Sequence, residues 1–138
     1  MLALVGARAE ESDVHPDFTA ARQTFMKQIS RIFAAHDNQI IKLRIRYMED
    51  LDAAGRKFKV QNDLDKLAAV RKERQRFQTY RSWSLDSTPK KLRDNPLVDP
   101  LREKYQQVET QWRADYRQKR NELNQSYRNH LTISPTGN

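Results

Sequence analysis

Residues 25–58 read FMKQISRIFAAHDNQIIKLRIRYMEDLDAAGRKF, and the spacing of apolar side chains in this stretch decides the fold. Phe25, Ile29, Ile32, His36, Ile40, Leu43, Tyr47, Leu51, Ala54 and Phe58 follow one another at steps of three or four. Both steps return a side chain to one face of an α-helix. The pattern closes every eleven residues: Ile29, Ile40 and Leu51 form one column, Ile32, Leu43 and Ala54 a second, and Phe25, His36, Tyr47 and Phe58 a third. Eleven residues over three turns is about 3.67 per turn, so the stripe runs almost straight or winds gently right-handed. No proline interrupts residues 17–59. The spacing predicts one helix over that span, roughly 64 Å long at about 1.5 Å per residue.

Moving outward, Val60-Gln61-Asn62-Asp63 breaks the ladder. Asn62 tolerates the left-handed backbone that ends a helix, and the Asp63 carboxylate can cap the next one. Asp65 then suits the positive end of that helix's dipole. A second helix is expected over 63–83, with Leu64, Leu67, Val70, Arg74, Phe77 and Tyr80 facing inward. Two prolines and several turn formers mark residues 84–99 as a loop. Asp99-Pro100 opens a third helix, expected over 100–131, because a capping carboxylate precedes a proline at the first helical position. The eleven-residue period returns there: Tyr105, Tyr116 and Tyr127 share one column, Leu101, Trp112 and Leu123 another, and Leu97, Val108, Lys119 and His130 a third. Leu43-Arg44-Ile45-Arg46-Tyr47 also matches Leu101-Arg102-Glu103-Lys104-Tyr105 at Leu, Arg and Tyr, so the third helix reads as the start of a second hairpin. The expected fold is all-α: an elongated antiparallel helical hairpin plus a third long helix, a coiled-coil-like three-helix bundle over 17–131. Residues 1–16 are expected to be a disordered segment or a signal-peptide remnant, and residues 132–138 a disordered tail.

Composition supports helices over the alternatives. The chain has 138 residues, 32% of them charged, with three glycines, five prolines and no cysteine. That is one domain's worth of chain. Too few turn formers are present for a core of many short strands, and a disulfide scaffold is excluded. No apolar run is long enough to span a membrane as a helix.

The run Tyr47…Leu51…Asn62-Asp63-Leu64-Asp65…Ala68-Ala69-Val70-Arg71-Lys72-Glu73…Arg76-Phe77 resembles a coiled-coil hairpin recurring in exported proteins of planctomycete and verrucomicrobial bacteria. Those segments read Tyr-x3-Leu, then Gly-Asp-Leu-Asp at the turn, then an Ala-rich helix ending in Glu-x2-Arg-Phe. The likeness covers roughly residues 39–77; Asn62 stands where the turn glycine would, and Gly55 lies inside the first helix. The resemblance implies a helical spacer or assembly module, exported, with no assigned chemistry.

Export has a second sign. Ala7-Arg8-Ala9 before Glu10 fits the small-x-small cleavage pattern of a secretory signal, although the apolar stretch ahead of it is short. The expected location is therefore the periplasm or cell exterior, with the cytoplasm as the alternative. No recognisable chemistry accompanies the helices. His15, His36 and His130 are far apart in the chain and lack metal-ligand spacing. Glycines at 6, 55 and 137 make no phosphate loop, and no nucleophile elbow is present. No catalytic, cofactor or metal residue is nominated, and no cofactor or small-molecule substrate is expected. His36 reads as a packing residue in its column, and the tyrosine column as a packed seam.

The net charge is +8, and residues 67–138 carry 15 basic groups against 8 acidic ones. Arg71, Lys72, Arg74, Arg76, Arg81, Lys90, Lys91 and Arg93 form a basic stretch suited to polyanions such as nucleic acid or an anionic cell-surface polymer. Arg113, Arg117 and Arg120 add a basic face on the third helix. The leading expectation is a non-enzymatic structural or protein-interaction module. The stripe from Phe18 to His36 outruns the second helix; the third helix, with Leu85, Leu92 and Leu97 of the loop, is expected to cover much of it, and a second chain or a neighbouring unit any shortfall. Polyanion binding through 71–93 comes second, and membrane-surface association, lacking an apolar anchor, last.

Overall fold

The computed structural model describes residues 16–133, and among them every regular element is a helix: α1 (Pro16–Val60), α2 (Leu64–Tyr80), α3 (Lys90–Arg93) and α4 (Asp99–Ile133). The expected signal remnant, Pro16 apart, lies outside the described residues, as does the tail from Ser134 onward. The chain divides into two compact units, residues 37–113 and residues 1–36 with 114–138.

In the unit of residues 37–113, α1 ends on local chemistry. Asn62 takes a left-handed backbone at φ 55°. The N–H groups of Gln61 and Asn62 reach the Lys57 and Lys59 carbonyls at 3.1 Å each, and that of Asp63 reaches Phe58 O at 2.9 Å. These bonds satisfy carbonyls that a helix end leaves open. Asp63 Oδ1 then accepts the Lys66 N–H at 3.3 Å, capping α2.

The far end of α2 departs from the expected boundary. The helix stops at Tyr80, three residues early, where Arg81 adopts φ 48°, ψ 37° and donates its N–H to Phe77 O at 2.7 Å. A left-handed residue with a Cβ costs about 1–2 kcal/mol. The return is Trp83, whose ring centroid lies 4.8 Å from those of Tyr47 and Phe77 and 5.8 Å from Tyr105. Burial of a large apolar side chain is worth about 1.5–3 kcal/mol and each such ring pair about 0.5–1.5 more. Packing therefore outweighs the strain. The expected loop 84–99 also contains a helical turn, α3, directly after Pro89. Asn95 ties the segment to α2 by donating Nδ2–H to Ala69 O at 2.7 Å.

The core of this unit comprises Leu43, Tyr47, Leu51, Val70, Phe77, Trp83, Val98 and Tyr105. Three inward assignments on α2 need correction. Leu64, in the first turn, is 66% exposed, and Arg74 and Tyr80 are only half-buried. Glu73 and Arg76 occupy the buried face in their place.

In the other unit, residues 16–36 of α1 run antiparallel to residues 114–133 of α4. Phe25 stacks on Tyr127 with ring centroids 4.5 Å apart, and His36 stacks on Tyr116 at 4.4 Å. Phe33 approaches Tyr116 edge-on at 6.3 Å. Phe18, Ile29, Ile32, Leu123 and Leu131 are half-buried, and His36 at 9% exposure is the unit's most buried described side chain.

Candidate functional site

The most constrained polar group in residues 37–113 is built on α2. Arg76, 1% exposed, forks onto Glu73, with Nε to Oε1 at 2.5 Å and Nη2 to Oε2 at 3.0 Å. The same guanidinium reaches Thr88 Oγ1 at 3.3 Å and Ser82 O at 3.0 Å. Tyr47 of α1 donates its hydroxyl to Glu73 Oε2 at 2.5 Å. Burial, then the bond to Glu73, pushes the Tyr47 hydroxyl well above the ordinary tyrosine range, so it stays a donor. Removing either ion alone would strand a buried charge. The group therefore ties α1, α2 and the 82–88 segment together, with every charge paired.

Two further contacts join α1 to α4 within the unit. Arg44 meets Glu109 through Nε at 3.2 Å and Nη2 at 3.4 Å, and Arg113 reaches Glu109 at 3.2 Å. Burial works to raise the Glu109 pKa. The Trp83 indole N–H, which faces Glu109 outside strict hydrogen-bond geometry, and Arg44 and Arg113 prevail and hold it low. Tyr105 donates its hydroxyl to Asp50, and burial followed by that bond pushes it up to about 12.

Two grooves open between α1 and α2. One, of about 430 Å³, has Ile41, Ile45, Met48 and Phe77 as its apolar lining, with Arg44, Glu49, Asp52, Gln78 and Arg81 around it. The other, of about 290 Å³, lies over Gly55 on a floor of Leu51, Leu67 and Val70, and Arg56, Lys59, Arg71, Arg74 and Asp52 line it.

The basic residues singled out from sequence do not form one patch with one role. Arg76 is a correction: it is buried against Glu73 and cannot meet a polyanion. Arg74 binds Asp52 through Nε at 2.5 Å and Nη2 at 3.5 Å. Lys72 donates Nζ–H to Asp94 O at 2.9 Å. Arg93 holds Thr88 O at 2.7 Å and Asp86 O at 3.0 Å. Arg71, Arg81, Lys90 and Lys91 are exposed, with no ion partner among the described residues. The groove over Gly55 adds Arg56 and Lys59, which sequence reasoning missed because they sit on α1, before the turn. Their i,i+3 spacing across from Arg71 and Arg74 was the available signal.

Among the described residues, no helix is long and apolar enough to cross a membrane. No family model, curated protein or solved structure matches the chain.

Proposed function

We propose that this chain is a non-enzymatic structural or protein-interaction module, acting after export from a bacterial cytoplasm, whose helical faces receive helices of other proteins or of further copies. In this reading a hairpin is followed by a third long helix, and an eleven-residue period sets the register between helices. The stacked pairs Phe25–Tyr127 and His36–Tyr116 support that register.

The observation that carries the proposal is the apolar groove along α1. Ile41 is 49% exposed and Ile45 52%, on successive turns of one helix, beside Met48 and Phe77. Exposed apolar surface costs about 25 cal/mol per Å², and contiguous patches rimmed by polar groups mark interaction sites. An amphipathic helix presenting side chains at i and i+4 matches this lining. Export is supported by the Ala7-Arg8-Ala9-Glu10 pattern and by the resemblance to exported hairpins.

A photo-reactive side chain placed at residue 45 in the producing cell tests the proposal. Discrete protein adducts, or a cross-linked dimer, are expected at residue 45 and not at the exposed position 107. Equal labelling at both positions, or none at 45, contradicts it.

A second reading, polyanion binding, is favoured by the exposed and unpaired state of Arg71, Arg81, Lys90 and Lys91. It requires affinity to fall steeply between about 50 and about 300 mM salt. A flat response removes it.

A further inference from the structure

The groove over Gly55 brings together cations from two helices. Arg56 and Lys59 come from the last turns of α1, and Arg71 and Arg74 from the middle of α2. Asp52 is the single carboxylate lining it, and Arg74 already holds that group. The groove thus carries an excess of three positive charges, and Arg56, Lys59 and Arg71 are exposed without an ion partner among the described residues. A cation near a helix C-terminus offsets the dipole, which accounts for Lys59. It does not account for Arg71 and Arg74, which sit mid-helix. Like charges gathered along one groove repel one another until an anion enters.

The floor points the same way. Gly55 lies inside α1, where glycine costs about 1 kcal/mol relative to alanine. Packing does not demand it: a Cβ there would stand 3.7 Å from Leu67 Cδ1 and 3.9 Å from Val70 Cγ1, ordinary van der Waals distances. What the missing methyl leaves is depth between the two rows of cations.

We infer that the groove over Gly55 is an anion-binding site, in which Arg56, Lys59 and Arg71 contact successive tetrahedral oxyanions of a linear polymer. Arg74, pinned by Asp52, supplies a fixed positive charge at the rim. The inference rests on the polyanion reading above and gives it a location. The groove's volume of about 290 Å³, open along its side, exceeds what one oxyanion needs and suits consecutive groups of a chain. Its lining holds aliphatic and charged side chains and no aromatic ring. Nucleic acid bound as a single strand gains much of its affinity by stacking bases on aromatic side chains. The lining therefore selects a polymer without bases, phosphorylated or sulfated.

The test uses the full chain with three probes: inorganic polyphosphate, dextran sulfate and a single-stranded oligonucleotide. One variant carries Arg56→Gln, Lys59→Gln and Arg71→Gln. A charge-matched control carries Arg22→Gln, Lys27→Gln and Arg31→Gln, exposed positions outside the groove and outside the 71–93 stretch. All six positions are exposed, and an unchanged circular dichroism spectrum establishes that both variants fold. The groove variant is expected to lose at least about tenfold in affinity for polyphosphate or dextran sulfate near 0.15 M salt, with a flatter salt dependence. The control is expected to lose less than about threefold. Whichever probe binds more tightly identifies phosphate or sulfate as the natural group. Equal losses in both variants overturn the groove site while leaving diffuse polyanion binding standing. An oligonucleotide that binds more tightly than both base-free polymers overturns the selection argued from the lining. No binding of any probe by the unaltered chain overturns site and polyanion reading together.

Discussion

The two units show what the same kind of stripe does with and without a cover. In residues 37–113, α2 and the 81–98 segment close over Tyr47 and Leu51, and the side chains are shut away from water around an ionic group with every member bonded. In the unit of residues 16–36 and 114–133, two helices meet along stacked rings, and the apolar side chains stay half-exposed. Periodicity alone therefore specifies which face packs. How deeply that face is buried depends on whether a further element lies across it.

The largest expected effect falls in the covered unit. Arg76→Ala leaves Glu73 buried without its guanidinium, and the loss is about 3–5 kcal/mol in urea unfolding. Replacing the pair together, Glu73→Leu with Arg76→Met, is expected to cost less than Arg76→Ala alone, because no charge is stranded. A loss below about 1 kcal/mol for Arg76→Ala would place the stabilising weight elsewhere.

The pH response sharpens the contrast, since Tyr47, Tyr105 and Glu109 all belong to residues 37–113. Tyr47 and Tyr105 have folded values raised above an unfolded value of about 10. Their contribution is whole below that pH and is lost as pH rises, for Tyr105 through about 12. Glu109 has a lowered folded value, so its contribution is present above the ordinary 4.5 and is lost as pH falls through the folded value. Urea midpoints are expected to decline on both flanks, and Tyr105→Phe to reduce the alkaline decline.

In the thinner unit, Phe25→Ala removes a half-buried ring from its stack on Tyr127 and is expected to cost about 1–2 kcal/mol, below the range of about 3–5 for a fully buried one. A loss equal to that of Trp83→Ala would erase the distinction between the units. The smallest effect is a gain: Gly55→Ala meets no close contact and is expected to stabilise α1 by about 0.5–1 kcal/mol, read as a higher melting midpoint.

Much of this organisation is legible in the chain. The stop at Asn62 and the cap at Asp63 are local, because those side chains carry their own backbone preferences. His36 and Tyr116, both read as packing residues from the sequence, stack on one another. The exit at Arg81 is not legible: arginine has no left-handed preference, and Trp83 imposes the turn from the core side. Nor is the burial of Arg76, which resembles Arg71 and Arg74 in composition and spacing. Its fate is set by Thr88 and by Tyr47, the latter separated from Glu73 by 26 positions along the chain. The groove over Gly55 escapes for a similar reason, being assembled from residues on both sides of a turn.

Native-state hydrogen exchange, resolved by residue, tests the contrast most directly. Amides of residues 43–51 and 70–77 are expected to exchange only through global unfolding, while those of residues 25–32 and 123–127 exchange faster, through local opening. Uniform protection across all four segments, or slower exchange in the last two, would contradict it.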